Sequence, residues 1–320
     1  MIKKKLNIIS PVFNEADNLD AFFTKLKKVK TNLEKSFDTN IIFVDDGSED
    51  ASQKTLKKLE EENNFIKTIF FTKNFGHQSA VFAGLSTFDA DLYLVLDSDL
   101  QHDPSLIDLM IKNLNEFNCE IVQMKKKYSS YEGFFKRLCS KIFYNLFSKV
   151  SDISIESGSS DFFLITNKVR KEIINSKISH SFLRGFLHWS GYSKVVIEYE
   201  PNKRIAGRSS YNLLKQLEFA LTGIYYYSNK LYLYLFILSS VILLGCIIYI
   251  IIILIDYFFL GGKSIFISGW TTLVILLLFF GSASVLFNSV MLFLLMKIFG
   301  FSGNKPFFIE KNKDKDSKID

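Results

Sequence analysis

The residues Asp97-Ser98-Asp99-Leu100-Gln101-His102 set two carboxylates and an amide at the end of the apolar run Leu92-Tyr93-Leu94-Val95-Leu96. Carboxylates placed where a buried strand stops are poor packing material and good ligands for a hard cation such as Mg2+ or Mn2+. For a D-x-D alone, the competing reading is a polar turn, with Pro104 opening the next helix. A second carboxylate pair, Asp45-Asp46, ends another apolar run, Ile41 to Val44, and is followed by Gly47, Ser48 and Asp50. Gly47 suits a tight turn and Ser48 or Asp50 a helix cap, but a cap does not explain two adjacent carboxylates ahead of it. Such groups can accept hydrogen bonds from ribose hydroxyls or a base N–H, while a cation held by Asp97, Asp99 and Gln101 neutralises a diphosphate.

These groups need a frame that brings strand ends together. Leu6 to Ser10, Ile41 to Val44, Thr68 to Phe71, Leu92 to Leu96 and Ile121 to Met124 read as strands. Between them, helical patterns run near Leu19 to Phe37, Ala51 to Asn63, Ser79 to Thr87 and Ser105 to Glu116. The alternation implies a mainly parallel sheet with right-handed crossovers, whose ligands bind outside the carboxyl ends of the strands. Leu92 to Leu96 lacks polar alternation, as a strand covered on both faces should. The other strand ends lead into Pro11-Val12-Phe13-Asn14-Glu15 and Lys73-Asn74-Phe75-Gly76-His77. No G-x-G-x-x-G follows the first strand and no G-x-x-x-x-G-K-[ST] occurs, so dinucleotide and P-loop readings lose their main support.

The chain of 320 residues divides by composition. Leu231 to Ile255 and Ser264 to Met296 carry no charge, and each exceeds the roughly 20 residues that cross a bilayer. The short Asp256 to Lys263 segment joins them. Lys215 and Lys230 precede this pair, Lys297, Lys305, Lys311, Lys313, Lys315 and Lys318 follow it, and the connecting loop has only Lys263. Both termini are therefore expected in the cytoplasm, with the protein multi-pass in the cell (inner) membrane. Before Pro11, Asn14 and Glu15 the N-terminal run is too short for a signal peptide. Leu213 to Ser228, ending in Tyr225, Tyr226 and Tyr227, suits an amphipathic interfacial helix. Gly133 to Ser148 fits a core-facing helix and a membrane-surface helix equally. Cys119, Cys139 and Cys246 lack C-x-x-C spacing and read as reduced, packed thiols. The net charge of +6 points to anionic lipid headgroups as partner, with no nucleic acid.

Four motifs in order resemble the polyprenyl-phosphate glycosyltransferases of glycosyltransferase family 2, the dolichyl- and undecaprenyl-phosphate sugar synthases. Pro11 to Glu15 resembles the family's P-x-x-N-E, and Asp45 to Asp50 its D-D-G-S-x-D. Lys73 to Ala80, read KNFGHQSA, is similar to R-N-F-G-H-Q-x-A, and Asp97 to Pro104, read DSDLQHDP, to D-x-D-L-Q-x-x-P. The resemblance implies an α/β architecture: a Rossmann-like GT-A catalytic domain, mainly parallel in its sheet, plus a C-terminal two-helix transmembrane hairpin. The implied organisation is a cytoplasmic GT-A domain over 1–212, a juxtamembrane helix over 213–230, two transmembrane helices over 231–298 and a charged cytoplasmic tail over 299–320.

It also implies site residues. Pro11, Phe13, Glu15, Asp45 and Asp46 would line the nucleotide-sugar pocket, and Asp97, Asp99 and Gln101 would hold Mg2+ or Mn2+. Ser160-Asp161-Phe162 resembles the family's G-D-F, which puts Asp161 beside Asp97 and Asp99 as a catalytic group near the sugar or acceptor. Phe182 to Trp189, read FLRGFLHW, resembles an acceptor-side helix, and Arg204 to Tyr211, read RIAGRSSY, a mobile loop. Lys125, Lys127, Arg137, Arg204, Arg208 and Ser209 are the acceptor-phosphate candidates. Lys73 stands for the usual Arg, Ser160 for Gly, Phe163 for a basic residue and Ser210 for Lys. A Lys meets phosphate as a point charge rather than a fork.

The implied activity is transfer of one hexose, with inversion, from a UDP- or GDP-sugar to undecaprenyl phosphate at the cytoplasmic membrane face. A homo-oligomer is allowed. A processive polysaccharide synthase is the nearest rival, weakened by the lack of Q-x-x-R-W. A non-catalytic, nucleotide-sugar-binding membrane scaffold would have no chemical reason to keep Asp97, Asp99 and Gln101. The motifs leave the sugar open, since polar placement around it decides specificity.

Overall fold

Strand β1 (Lys4–Val12) is buried from Leu6 onward because it runs through the interior of a seven-stranded sheet ordered β3-β2-β1-β4-β6-β5-β7. The computed structural model describes residues 3–127, 158–176, 183–202, 230–259, 269–302 and 308–311. After β1 come α1 (Ala16–Leu33), β2 (Phe37–Asp45), α2 (Ser52–Glu62), β3 (Ile66–Phe70), α3 (His77–Thr87) and β4 (Leu92–Val95). A 3-10 turn (Pro104–Leu106), α4 (Ile107–Glu116), β5 (Ile121–Lys126), β6 (Ser159–Thr166), α5 (Asn167–Asn175), α6 (Leu183–Trp189) and β7 (Lys194–Tyr199) follow. Among the seven named strands every pairing is parallel except those of β6, which runs antiparallel to both β4 and β5. The mainly parallel α/β sheet expected from the alternating pattern is thus the observed one.

Strand alternation divides the core. Leu6, Ile8, Phe43, Leu94 and Met124 face α1, α2 and α4, whereas Ile9, Ile42, Tyr93, Val95 and Phe163 face α3, α5 and α6. Apolar side chains on both faces are what a covered sheet requires. Two elements depart from the sequence expectation. The helical spacing reaches Phe37, yet α1 stops at Leu33 and Phe37 opens β2 beside Lys4. A buried aromatic after a helix satisfies either pattern, and the sheet pairing decided it. Strand β6 was expected only as a motif; its apolar run from Phe162 to Ile165 fills the space between β4 and β5.

The long helices form a separate compact unit. Helix α7 (Lys230–Phe259) and helix α8 (Trp270–Ser302) pack on each other. Their apolar spans, Phe236–Asp256 and Leu273–Leu295, are 21 and 23 residues long. At about 1.5 Å per residue each covers roughly 30 Å, the thickness of a bilayer's hydrocarbon core. Leu238, Leu277 and Phe280 are each more than half exposed on them, a disposition that suits lipid and not water. Cys119 and Cys246 are free thiols. Arg137, Cys139, Arg204, Arg208 and Ser209, the Gly133 to Ser148 segment and nearly all of 213–230 lie outside the described residues.

Helix α3 approaches the sheet at Gly84, where a Cβ would lie 2.4 Å from Cγ2 of the buried Ile9. Overpacking of this kind costs about 1–3 kcal/mol. Gly84→Ala is expected to lower the thermal midpoint of the detergent-solubilised chain by several degrees. An unchanged midpoint would contradict the close approach.

Candidate active site

Strands β1, β2 and β4 end side by side at one sheet edge, and the reversed β6 begins there. Val95 pairs with Phe163, so carrying that register two residues further sets Asp97 opposite Asp161. His77, at the start of α3, stands between them: its Nε2 is 3.6 Å from Asp97 Oδ1 and 3.5 Å from Asp161 Oδ2. Burial works against a charged imidazole here, but Asp97 and then Asp161 outweigh it, and the His77 pKa is pushed up to about 9. Arg184 on α6 grips Asp161 from the other side as a fork, with Nε 3.1 Å from Oδ1 and Nη2 2.9 Å from Oδ2. Burial would raise the Asp161 pKa, yet Arg184 and His77 hold it well below the usual carboxylate range. Gln78 Nε2 also lies 3.4 Å from Asp161 Oδ2, while its Oε1 accepts the Leu183 N–H at 3.2 Å. The starts of α3 and α6 are thereby tied through one carboxylate.

The D-x-D turn is built from below. Leu100 adopts a left-handed φ of 64° and buries its side chain in the core. That turn lets the Gln101 N–H donate to Asp99 Oδ1 at 3.0 Å, while Ser98 Oγ donates to the Pro11 carbonyl at 2.9 Å. The Asp97 N–H donates to His102 Nδ1 at 3.0 Å. His102 is fully buried and stacked on Phe162, and burial lowers its pKa. With Nδ1 accepting, its proton sits on Nε2. His102 therefore supports the turn and does not face a nucleotide. Asp97 Oδ1 has no hydrogen-bond partner.

Gln101 Oε1 accepts from Lys126 Nζ at 3.2 Å. Alternation along β5 sends Lys125 the other way, to Glu198 at 3.4 Å, and the Lys127 N–H bonds to the Tyr199 carbonyl. Lys126 thus brings its ammonium to the motif beside His77, while Lys125 pairs with Glu198. Ser160, in the place of the family's Gly, is accommodated by donating its hydroxyl to the Met124 carbonyl at 2.7 Å, where β5 shifts register against β6.

Asp45 and Asp46 both have structural partners that local spacing hides. Asp45 is fully buried; its Oδ2 accepts from the Ser48 N–H at 3.1 Å and Gln53 Nε2 at 2.9 Å, while Oδ1 is left without a partner. Asp46 accepts the N–H groups of Phe75 at 2.7 Å and Gly76 at 2.9 Å, and burial pushes its pKa up to about 6. Gly47 is required between them and the next loop: its φ is 72°, and a Cβ would meet the Lys73 carbonyl carbon at 2.3 Å. The loop after β1 is latched to the loop after β2. The Asn14 N–H donates to Ser48 Oγ at 2.9 Å, the Glu15 N–H to Ser52 Oγ at 3.0 Å and the Ala16 N–H to Asp50 Oδ2 at 3.1 Å. Phe13 stays exposed on that latch.

Pro11, Phe13, Glu15, Asp45 and Asp46 therefore share a sheet edge with Asp97, Asp99, Gln101 and Asp161, the ends of β2 and β4 standing about 10 Å apart across β1. His77, Gln78, Lys126 and Arg184 complete the site; His77 and Gln78 fall in the KNFGHQSA motif and Arg184 in FLRGFLHW, but the sequence assigned none of the four a role there. Period-two alternation from Met124 would have picked Lys126; nothing local marks Arg184 as the partner of Asp161.

The Asp161 carboxylate adds stability above the ordinary aspartate pKa near 4, and that contribution is lost as pH falls below it. Arg184→Met relaxes the depression, so the stability lost on acidification from about pH 4 shrinks, alongside a drop on the order of 3 kcal/mol at neutral pH. Denaturant unfolding at stepped pH reads both, and a wild-type acid slope in the variant would contradict the fork.

The model of the family described as glycosyl transferase family 2 matches residues 7–184. An uncharacterized glycosyltransferase, YkcC of Bacillus subtilis (strain 168), is 34% identical over 224 residues, covering 70% of this chain and 68% of the relative. A prophage bactoprenol glucosyl transferase homolog of Escherichia coli (strain K12) is 31% identical over 225 residues, covering 70% and 72%. Among solved structures, mannosyl-3-phosphoglycerate synthase from Rubrobacter xylanophilus is 15% identical with a TM-score of 0.49 over 70% of this chain and 72% of that one. With the family model spanning β1 to the start of α6, this chain belongs to glycosyl transferase family 2, and its sheet with the single reversed strand has the GT-A fold.

Proposed function

We propose that this enzyme transfers one hexose from a UDP- or GDP-sugar to a polyprenyl phosphate, with inversion and with the help of a divalent cation. The observation that carries the reading is the Asp97–His77–Asp161 cluster at the edge where the buried Asp45 and Asp46 also end. The acceptor class is supported by relatives named bactoprenol glucosyl transferase and by two helices apolar enough to cross a membrane.

Mg2+ and Mn2+ are held in sites of this kind by one or two carboxylates together with substrate phosphates. Asp97, whose Oδ1 accepts no hydrogen bond, and Asp99 fit that donor set. Gln101 joins it once its Oε1 leaves Lys126. Among the described residues no three His, Cys, Asp or Glu side chains gather into a ready cage, so the donor diphosphate would complete the coordination. A cation held by these residues would supply Lewis-acid neutralisation of the leaving diphosphate.

The protein's own groups do the rest. A lipid monophosphate has a second pKa near 6, so its oxygen is already an anion at neutral pH and needs no general base. Asp161, held ionised with both oxygens engaged, then serves as a fixed acceptor and charge and not as a base. Lys126 supplies a point charge beside the diphosphate, and Lys125, Lys127, Arg137, Arg204 and Ser209 remain acceptor-side candidates. On this reading the catalytic domain and both termini face the cytoplasm. Sidedness is supported by the tail: the Lys311 N–H bonds to the Phe70 carbonyl, so the chain returns to its N-terminal unit after α8, as an even number of crossings requires.

Membranes carrying the protein, incubated with undecaprenyl phosphate and radiolabelled UDP-glucose, UDP-galactose or GDP-mannose, are expected to yield a labelled lipid with one donor. No labelled lipid from any donor would sink the reading. Asp99→Asn should fold and lose transfer by on the order of 100-fold or more. Chelation should silence the wild type until Mg2+ or Mn2+ is added back; full activity in Asp99→Asn would refute the metal role.

A further inference from the structure

After the second long helix the chain comes back to the catalytic unit. Strand β3 is an edge of the sheet, and residues 308–311 lie along it as a short antiparallel addition. The Thr72 N–H donates to the Ile309 carbonyl at 3.1 Å and the Lys311 N–H to the Phe70 carbonyl at 2.7 Å. An added strand of this length covers an open edge but brings few bonds of its own. The side chain that distinguishes it is Phe308. Its ring stacks on Phe71, with centroids 5.1 Å apart and planes 14° from parallel. Phe71 is 1% exposed and meets Phe75 edge-on at 5.6 Å and 87°.

Phe75 links this aromatic run to the site. Its N–H is the 2.7 Å donor to Asp46, the next N–H, of Gly76, is the other donor, and His77 follows. Lys73 and Asn74 are exposed, and Gly76 has a φ of 98° with open space where a Cβ would stand. The Lys73–Asn74 backbone packs against Gly47, the Lys73 ammonium lies 5.2 Å over the Phe75 ring, and it is that ring which carries the loop's packing toward Phe71. An aromatic stack fixes orientation as well as distance, so what holds Phe308 also aims the two N–H groups at Asp46.

We propose that Phe308 is a positioning residue for donor binding: through Phe71 and Phe75 it holds the 73–76 loop, and with it Asp46 and His77, in the geometry that receives the nucleotide sugar. This rests on reading Asp46 as part of the donor pocket. The donor pocket is then completed by a segment that the chain supplies only after both long helices, and a chain lacking its last residues keeps every motif but has a looser pocket.

The test uses the full-length protein with Phe308→Ala, Phe308→Leu, Phe308→Tyr and, as a control, Ile309→Ala, whose side chain is exposed. Phe308→Leu keeps apolar volume and guards against an Ala variant that fails to fold. Amide hydrogen exchange of the 72–77 segment is expected to quicken several-fold in the Leu and Ala variants and to return to the wild-type rate in Phe308→Tyr. With whichever of UDP-glucose, UDP-galactose or GDP-mannose the wild type uses, donor KM should rise about 5–10-fold while kcat stays within twofold, and Phe308→Tyr and Ile309→Ala should match the wild type. Unchanged exchange in Phe308→Leu, a fall in kcat at constant KM, or a loss that Phe308→Tyr does not restore would each overturn the proposal. The exchange measurement needs no turnover, so a wild type that labels no lipid would defeat the functional reading while leaving the loop's dependence on Phe308 separately readable.

Discussion

Carboxylates crowded at one sheet edge repel one another and resist burial, and this site exists because each of them has at least one neighbouring charge or N–H group set against it. Asp161 has the Arg184 fork and His77, Asp97 has His77, Asp46 has two loop N–H groups, and Asp45 has the Ser48 N–H and Gln53. The answers differ in kind. Asp161 is held ionised by full charges, whereas Asp46 relies on neutral dipoles and sits with a raised pKa. The same edge thus carries one carboxylate fixed as an anion and others still short of compensating charge.

That arrangement depends on the single reversed strand. A parallel β6 would begin at the opposite edge and carry Asp161 away from Asp97. Inserted antiparallel between β4 and β5, it starts where β4 ends, and α6 brings Arg184 back over Asp161. Helix α3 supplies the remaining piece. Its close approach at Gly84 seats it on the sheet, so that His77 at its start lies between the two carboxylates.

The two compact units are built on opposite rules. In the catalytic unit apolar side chains turn inward on both faces of the sheet, while in the pair α7 and α8 they turn outward over spans that match a bilayer. The tail at 308–311 belongs to the catalytic unit although it follows the helices in the chain. Its charged composition gave no sign of this, because an edge-strand contact uses backbone groups and one aromatic ring.

What the sequence determined by itself was whatever is local along the chain: the apolar runs that became β1, β2 and β4, the turn residues at their ends, and the uncharged lengths of α7 and α8. Asp97, Asp99, Asp45 and Asp46 were legible because each pair stands at the carboxyl end of an apolar run. Partners far apart in sequence were not. Asp46 bonds to Phe75 and Gly76, Asp161 to Arg184, and Gln101 to Lys126, and none of these pairs has a spacing that propensity or periodicity can read. Which of Lys125 and Lys126 reaches Gln101 likewise turned on the face of β5 that meets the motif. Local pattern sets which residues can serve, through strand period and turn chemistry. Only the tertiary structure decided which of them meet, because the order and direction of strands in a sheet are settled by packing between segments distant in the chain.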